Sequence, residues 1–585
     1  MKKLLEDIKN DKIIHYILII MASCIAIIPL LQINLYGTDD GFIHILRIIG
    51  VENIIKNGEF PPFIYSNFCR GFGYAINLFY GPLVTYGPLL FRIFNLHYYD
   101  CLKIYTLCTI IISGIAMYKL TYQITKKRPI ALIGAIIYIF IPYRLETIYN
   151  RFAIGEFSAY MFIPLVFMGL YNLLNEDGKK HYYITIGAVG LMLTHTITTE
   201  YTALFCLLYV ILNIPKLKDK EVLKKIGINI IFIIGISLFF IIPIAEHKFL
   251  GNYCITSSEN MGTNGAEAHS YAIELKQLFI DEKEESSVSF KLGIPFICLM
   301  LLGIYTYKKM DKNYTKIYLS LLLIAVISLW MSTKYFPWMI MPNFLCTLQF
   351  PWRMLMFFEF AMSIICAINL YTLISKKENI EGALLILSVI LIVLTMQKTN
   401  YKFEIDAGKS LTDEEYENKV LSQQTLSHMA INREYLPLNA MKQNYEYLNT
   451  RENKVYVLSG TVEINNEYKN GLKLKFNIAN GEKETILELP YLYYLGYEAT
   501  VNYNGEQYKL KTFESDNGFV AIQLNDLQDA EIFVEYKGTT LEKVAYAISA
   551  GMLVLFICYV INSYKKSKTN SKWNRFLIIK KLVYR

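Results

Sequence analysis

Residues 13–47 of the chain read IIHYILIIMASCIAIIPLLQINLYGTDDGFIHILR, a long apolar run followed at once by a short polar stretch. The apolar part, residues 13–35, is long enough to cross a bilayer and lacks the small-residue cleavage site of a signal peptide. We therefore expect it to be retained as the first membrane span. The polar stretch, residues 36–47, would then emerge at the membrane surface.

The polar stretch contains two adjacent acids, a histidine and an arginine. A helix that begins near Gly41 places Asp40, His44 and Arg47 on one face, because they are spaced at i, i+4 and i+7. At a membrane surface, such a face suits a phospholipid headgroup or the charged end of a lipid-linked substrate. The alternative is that Asp40 is a helix N-cap and that the face is solvated in the interface.

Composition and length indicate a polytopic membrane protein. Of the 585 residues, 54% are hydrophobic, which is well above the content of an ordinary soluble domain. Twelve apolar runs are long enough, or nearly long enough, to cross a bilayer. They are residues 13–35, 101–121, 129–144, 157–174, 182–196, 200–214, 226–246, 291–307, 315–331, 352–374, 382–397 and 542–563.

The net charge of +8 comes mainly from lysines that cluster in alternate connections between these runs. This pattern is typical of topology signals and predicts cytoplasmic termini, with residues 36–100 on the external side, rather than a nucleic-acid partner. The ten cysteines are scattered singly, so neither a disulfide framework nor a metal–thiolate site is expected.

The distribution of apolar runs and charges predicts four segments along the chain. The chain divides into a transmembrane domain (1–397) with a first external loop (36–100), an external accessory domain (398–541), a last span (542–563) and a basic cytoplasmic tail (564–585). In the first external loop we expect short helices lying in the interface. Residues 455–536 alternate polar and apolar side chains and contain Asn-Gly pairs at 470, 480, 504 and 517, which predicts an antiparallel β-sandwich.

Arginine departs from the positive-inside rule that lysine follows. Six of the eleven arginines lie on the predicted external side at membrane level: Arg47, Arg70, Arg92, Arg144, Arg151 and Arg353. Arginine binds phosphate in a bidentate manner and stays charged when partly desolvated, so the set predicts an anion pocket. Alternatively, these arginines pair with acids to hold helix ends together. The candidate acids are Asp39, Glu146, Glu156 and Glu359.

The chain resembles the bacterial membrane proteins called 6-pyruvoyl-tetrahydropterin synthase-related, and more distantly the YfhO-type proteins and the GT-C glycosyltransferase superfamily. The resemblance covers the first 375 residues and depends on the order of short motifs. These motifs are Asp40, His44 and Arg47; Gly71 to Tyr74; Tyr80-Gly81-Pro82; Tyr143-Arg144; Arg151 to Glu156; Thr194-His195; and Gln349 to Arg353. Departures are Thr38, where histidine is common in the family, and the extra acid Asp39.

The resemblance implies a GT-C-like bundle of about twelve helices and an inverting glycosyltransferase, acting as a hexosyltransferase at the external face of a bacterial plasma membrane. A polyprenyl-phosphate-linked sugar would be the donor, and a cell-surface polysaccharide, glycolipid or protein the acceptor. Carried over, Asp40 or Asp39 would be the catalytic base. Phosphate would bind to Arg47, Arg151, Arg353, Arg144 and His44, with Glu156, His195 and Tyr80 also in the pocket.

Three further alternatives remain open. Asp39 and Asp40 could together hold Mg²⁺ or Mn²⁺, which prefer oxygen ligands, although adjacent helical residues point apart. A flippase or transporter for a lipid-linked sugar would also need external arginines, but should carry charges deep in its spans. A non-catalytic membrane protein whose external domain binds a cell-surface polymer would explain the sandwich, but would leave Asp40 and the arginines without a role.

Overall fold

The computed structural model describes residues 11–32, 35, 38–256, 264–280, 288–375, 381–399, 412–415, 434–442, 445–481, 484–503, 505–525 and 527–583. Most of the chain is helical, with β-structure near the C-terminus. The sequence also predicts mixed helix and loop for residues 400–450, most of which lie outside the described residues. In chain order, the α-helices are α1 (Lys12–Gln32), α2 (Gly41–Lys56), α3 (Ile76–Phe79), α4 (Leu83–Leu89), α5 (Tyr98–Thr125), α6 (Arg128–Phe140), α7 (Pro142–Tyr149), α8 (Ile154–Ala159), α9 (Ile163–Asn175), α10 (Tyr183–Met192), α11 (Thr196–Ile211), α12 (Lys220–Leu250), α13 (Gly265–Tyr271), α14 (Ile294–Thr306), α15 (Thr315–Ser332), α16 (Asn343–Cys346), α17 (Leu355–Ile374), α18 (Glu381–Thr399), α19 (Leu438–Lys442), α20 (Tyr445–Thr450) and α21 (Thr540–Val583).

Seven helical segments among the described residues are long and apolar enough to cross a membrane, so the chain is a multi-pass membrane protein. An eighth span forms if α6 and α7 are taken as one broken helix. Helices occupy most of each of the twelve predicted runs, but runs 129–144 and 157–174 are each divided between two helices, and α10, α11 and α14 have 17 residues or fewer. The count of twelve spans therefore stays a prediction, as do the side of each terminus and the face on which the protein acts.

The break between α6 and α7 brings polar groups into the helix bundle. Pro142 has no N–H, and the residue before a proline is driven out of the helical region, so Ile141 is extended at φ −63° and ψ 141°. The two helices meet at 41°. The N–H of Tyr143 that this break frees donates to Glu359 Oε1 at 2.8 Å. Helix α7 is thereby turned toward α8 and the first external loop.

The first external loop packs into the protein more deeply than the sequence predicts. Helix α2 buries ten of its sixteen residues, including His44, which is 5% exposed. The expectation of a solvated face on this helix is therefore wrong, because side chains from other parts of the chain cover it. The following segment does present apolar side chains outward: Leu90, Ile93 and Phe94 are 63%, 77% and 72% exposed, as suits an interfacial anchor.

Two antiparallel sheets follow the bundle. The strands are β1 (Tyr456–Ser459), β2 (Glu463–Asn470), β3 (Lys473–Ala479), β4 (Glu484–Leu492), β5 (Tyr497–Tyr503), β6 (Glu506–Leu510), β7 (Thr512–Glu514), β8 (Phe519–Asn525) and β9 (Ala530–Tyr536). One sheet has the strand order β1-β4-β8-β7 and the other β2-β3-β9-β5-β6.

The predicted antiparallel β-structure is present, but one predicted turn differs. The Asn-Gly pair at 470 closes the β2–β3 hairpin and the pair at 517 joins β7 to β8. The pair at 480 instead carries the chain from one sheet to the other, and residue 504 lies outside the described residues. The sheets pack on the first external loop, where Leu492 N donates to the carbonyl of Phe72 at 2.9 Å.

Candidate active site

The loop that carries Asp40 is fixed to the turn after α7 by backbone hydrogen bonds. Asp39 N donates to the Asn150 carbonyl at 3.1 Å, and Asp40 N donates to the Arg151 carbonyl at 2.9 Å. Thr38 Oγ1 accepts from Gly41 N at 3.1 Å and so performs the capping role at the start of α2. Asp40 occupies the N-cap position of α2, as the alternative predicts, but its side chain makes no capping hydrogen bond.

Asp40 has an unusual environment for a carboxyl group. Its pKa is raised to about 6, mainly by burial; the guanidinium groups of Arg151 and Arg47 lower the pKa, and the neighbouring Asp39 and Glu156 raise it. Among the described residues, no hydrogen bond to this carboxyl is present, and part of the residue is exposed. A carboxylate with a pKa near the working pH and free lone pairs is suited to accept a proton.

Glu156, at the start of α8, binds two of the arginines that the sequence assigns to an anion pocket. Arg151 donates to it in a bidentate manner, with Nη1 3.1 Å from Oε2 and Nη2 3.1 Å from Oε1. Arg353 Nε donates to Oε1 at 2.8 Å, and the Tyr143 hydroxyl donates to Oε2 at 2.8 Å. For Arg151 and Arg353, the alternative of pairing with an acid therefore describes the structure. Two guanidinium groups share one carboxylate, which leaves an excess of positive charge.

Strained backbone flanks this ion-pair cluster. Phe152, next to Arg151, and Gln349, four residues before Arg353, have φ angles of +49° and +60°. The left-handed region is unfavourable for bulky residues and costs about 1–3 kcal/mol when it is occupied. Such strain persists only where surrounding contacts hold the backbone, and it is common at active sites.

Arg47 lies on the other side of Asp40 and is not paired in the same way. Its guanidinium carbon is 4.1 Å from the centroid of the Tyr80 ring, and its Nε is buried without a hydrogen bond. Burial lowers the pKa of Arg47, but Tyr80, Tyr435 and Glu434 more than compensate and the pKa is raised. The side chain therefore stays charged and retains an unused donor.

The two histidines of the predicted pocket are uncharged. His44 lies between the rings of Tyr80 and Phe152, at centroid distances of 6.2 and 6.3 Å. Burial, assisted by the charge of Arg47, holds its pKa well below the usual value. Burial likewise lowers the pKa of His195 to about 3, and its Nδ1 accepts from Thr198 N at 3.3 Å as the N-cap of α11. Neither ring supplies a positive charge for phosphate at neutral pH.

Tyr80 is held where the first external loop meets the turn after α10. Leu83 N donates to the Leu193 carbonyl at 3.0 Å. A Cβ on Gly81 would come within 2.6 Å of that same carbonyl oxygen, so the close approach requires glycine. The Tyr80 ring is thereby placed beside Arg47 and His44.

Gly155, next to Glu156, is a second point of close approach and gives a testable prediction. A Cβ there would lie 2.9 Å from His195 Cδ2 and 3.2 Å from the Tyr80 hydroxyl. We expect Gly155→Ala to displace both rings at a cost of about 1–3 kcal/mol and to lower activity. Gly227→Ala is the matched control, because nothing lies within 4 Å of its added methyl group. Equal activity and Tm in both variants would contradict the prediction.

Arg144, which the sequence also assigns to phosphate binding, lies away from this cluster. It is fully buried in the helix bundle, where Nη1 donates to the Tyr138 carbonyl at 3.1 Å and Nη2 to Ser113 Oγ at 2.6 Å. Its guanidinium group also lies 5.2 Å from the centroid of the Tyr160 ring. These contacts connect α5, α6 and α7, so the structure gives Arg144 a structural role.

The predicted Mg²⁺ or Mn²⁺ site lacks a preformed set of ligands among the described residues. Over the described ranges, no group of three or more His, Cys, Asp or Glu side chains is placed to hold a metal ion. Mg²⁺ requires close to six oxygen ligands, whereas Asp39 is exposed and the nearby Glu156 is bound to Arg151 and Arg353. The described residues form no complete ligand set, and a Mg²⁺ or Mn²⁺ ion held by Asp39 and Asp40 stays a prediction from the sequence.

No protein family model matches the chain. A protein of Lactococcus lactis subsp. cremoris (strain MG1363), described only as uncharacterized, is 25% identical over 608 residues, which covers 96% of this chain and 98% of that protein. Two structures of the Archaeoglobus fulgidus oligosaccharyltransferase are weakly similar. One, AglB with an inhibitory peptide and a dolichol-phosphate, has a TM-score of 0.35 at 13% identity, over 70% of this chain and 59% of that one. The other, with zinc and sulfate, has a TM-score of 0.36 at 12% identity, over 69% and 57%.

Three residues near Asp40 and Glu156 were missed by sequence reasoning. Tyr143 stands in a motif that drew attention to Arg144 instead, although a tyrosine at a helix start can donate as Tyr143 does here. Glu434 and Tyr435 reach Arg47 from a segment almost 400 residues later. Nothing in the local sequence marks them, because only tertiary packing brings them to the site.

Proposed function

We propose that the protein is an inverting membrane glycosyltransferase that moves a sugar from a polyprenyl-phosphate-linked donor to a cell-envelope acceptor at the external membrane face. The observation that carries the proposal is the Asp40 carboxyl, free of hydrogen bonds and with a pKa of about 6, between Arg47 and the Arg151 cluster. The resemblance in the order of motifs supports the choice of substrate class. A base next to fixed positive charge is what this transfer requires.

Asp40 acts as the base in the proposed sugar transfer. The carboxylate of Asp40 takes the proton of an acceptor hydroxyl, while the acceptor oxygen forms a bond to the anomeric carbon. The bond from that carbon to the phosphate oxygen breaks, and its electron pair leaves with the polyprenyl phosphate. Attack from the side opposite the leaving group inverts the anomeric configuration. The leaving phosphate gains negative charge, which a guanidinium group can stabilise.

Arg47 is assigned the role of phosphate ligand. Its Nε is a buried donor without a partner, and an unpaired buried donor is costly unless a ligand satisfies it. Arg151 and Arg353 are already bound to Glu156, so they contribute positive charge and position rather than free donors. The Tyr80 ring holds the Arg47 guanidinium by a cation–π contact at 4.1 Å.

Replacing Arg47 tests this role. We expect Arg47→Met to weaken the binding of polyprenyl phosphate by about 1.5–3 kcal/mol, equivalent to about 10- to 100-fold in Kd. Stability should change little, because methionine fills similar space without a buried unpaired donor. Titration of the detergent-solubilised protein with polyprenyl phosphate, followed by native mass spectrometry, measures Kd.

Arg128→Met is the control for the loss of one arginine. Arg128 begins α6, in a connection that the lysine pattern places on the cytoplasmic side, and its loss should leave Kd unchanged. If Arg47→Met bound polyprenyl phosphate as tightly as the wild type, Arg47 would not be the phosphate ligand.

Turnover of a labelled donor tests the proposed function itself. The purified protein, in vesicles with a radiolabelled polyprenyl-phosphate hexose and cell-envelope material, should release polyprenyl phosphate and label the envelope material. The product linkage should have the opposite anomeric configuration to the donor, as measured by NMR spectroscopy. Movement of intact donor between leaflets without cleavage would instead identify a flippase, and binding of envelope polymer without donor cleavage would identify a polymer-binding protein.

A further inference from the structure

A cavity of about 410 Å³ lies between the first external loop and the sheets. Its lining includes Asn67, Arg70 and Gly71 from the loop, and Arg451 and Asn453 from the segment that precedes β1. None of these residues belongs to the Asp40 site. We call this cavity the junction groove. Some of the charged side chains around it are paired with opposite charges, and others are not.

Arg70 presents unused donors at the junction groove. Only its Nη1 is engaged, by the carbonyls of Leu448 and Asn449 before β1. Its Nε and Nη2 make no hydrogen bond within the described part of the chain, and the residue is partly exposed. The backbone of Arg70 has φ +58° and follows Cys69 at φ +51°, so two consecutive non-glycine residues are held in the left-handed region. Such strain often marks a ligand-binding loop.

The amino group of Lys469 lies behind the residues that line the junction groove. Its Nζ donates to the Gly71 carbonyl at 2.6 Å, to Asn453 Oδ1 at 2.6 Å and to the Pro490 carbonyl at 2.8 Å. Burial lowers its pKa to about 7, with Arg451 lowering it and Glu467 raising it. All three hydrogen-bond partners are neutral oxygens. A buried cation that is bound only by neutral groups favours a nearby anion.

The other charges at the junction groove are already neutralised. Arg451 is fully buried and pairs with Glu488, its Nε lying 3.1 Å from Oε1. Glu452 is exposed and pairs with Lys454. The unpaired positive charge on the lining is therefore that of Arg70, and Lys469, with a pKa of about 7 and Glu467 nearby, adds only part of a charge at neutral pH. Beside them, the side-chain amide of Asn67 makes no hydrogen bond to any described residue and is partly exposed.

We propose that the junction groove binds a polyhydroxylated chain that carries carboxylate or phosphate groups, with Arg70 as the anion ligand and Asn67 as a hydroxyl ligand. This inference deepens the proposed function, on which it rests, by naming the acceptor as an anionic glycan. The volume of the groove suits a short run of sugar units, and pockets of this size bind small ligands in many proteins. Arginine can bind either acidic group with two parallel hydrogen bonds.

Binding by the full-length protein in phosphatidylcholine nanodiscs tests the groove. The probes are trigalacturonate, which carries carboxylates, a glycerol phosphate trimer, which carries phosphates, and neutral maltotriose. Isothermal titration calorimetry should detect binding of at least one anionic probe and weaker binding of maltotriose. Whichever anionic probe binds identifies the acidic group. If neither bound, or if maltotriose bound as tightly, the proposal would be overturned.

Substitution of Arg70 locates the site. Arg70→Met should weaken binding of the anionic probe at least tenfold, and Arg70→Lys should restore part of it because the charge is kept. Lys475→Met removes a charge from an exposed pair with Glu531 on the same domain and should change nothing. A Tm for Arg70→Lys equal to that of the wild type shows that the protein is folded. Unchanged affinity in both Arg70 variants overturns the assignment.

The test of the junction groove and the test of the proposed glycosyltransferase activity can fail independently. Arg70→Met should lower transfer to an anionic glycan, whereas Lys475→Met should lower neither that transfer nor the hydrolysis of the polyprenyl donor by water in the absence of polymer. Donor cleavage without any effect of Arg70 on transfer would reject the groove and keep the glycosyltransferase. Binding of the anionic probe that depends on Arg70, without donor cleavage by any form of the protein, would keep the groove and reject the enzyme.

Discussion

Asp40→Asn should lower the rate of sugar transfer about 100- to 10,000-fold, the range that general-base catalysis supplies, without unfolding the protein. The fold should survive because the Asp40 carboxyl makes no capping hydrogen bond that asparagine would lose. Asparagine has the same shape and is neutral, so it also removes the cost of burying a charge. The donor-turnover assay measures the rate, and the Tm in detergent measures stability.

The pH profile gives this prediction a second measurement. Asp40 must be deprotonated to accept a proton, and its pKa is about 6. Activity of the wild type should therefore rise as the pH increases through about 6 and level off above it. Asp39→Asn is the matched control, because Asp39 is the adjacent, exposed acid. It should retain activity, with the limb moved to lower pH because the charge of Asp39 raises the pKa of Asp40. Wild-type turnover in Asp40→Asn, or loss of activity and of the limb in Asp39→Asn alone, would exclude Asp40 as the base.

The helices were predictable from the sequence because membrane burial leaves a long local signal. A span needs about twenty apolar residues, and every predicted run falls on a helix. Runs of intermediate length are ambiguous, because a helix such as Tyr183–Met192 can be covered by other helices instead of crossing the bilayer. The β2–β3 hairpin was predictable for the same reason, because two adjacent residues, Asn470 and Gly471, specify its turn.

The burial of α2 and the pairing of the arginines were not predictable, since both depend on distant contacts. The helical spacing placed Asp40 and Arg47 on one face, but could not show that Tyr80 covers Arg47. Likewise, the sequence predicted an anion pocket from the set of external arginines and offered pairing with acids as the alternative for each of them. The structure divides the set: Arg151 and Arg353 share Glu156, while Arg47 retains an unpartnered donor.

Glu156→Gln is the substitution with the largest expected effect on stability. The Glu156 side chain is 2% exposed and those of Arg151 and Arg353 are 9% and 11% exposed, so solvent cannot replace the lost carboxylate. Removing one partner of a buried ion pair costs about 3–5 kcal/mol. Glutamine keeps the shape, but its amide N–H groups would face the N–H donors of the guanidinium groups. We expect a clearly lower Tm and little transfer activity.

A surface pair and a double variant show whether the loss comes from unpaired charge. Glu531→Gln breaks the exposed pair with Lys475 and should cost about 0–1 kcal/mol. Combining Glu156→Gln with Arg353→Met removes one of the two uncompensated charges, so part of the lost Tm should return. Activity should not return with it, because the carboxylate that holds Arg151 near Asp40 is still missing. If the double variant were less stable than Glu156→Gln alone, the two arginines would be held by their other contacts, and Glu156 would not be the group that organises this site.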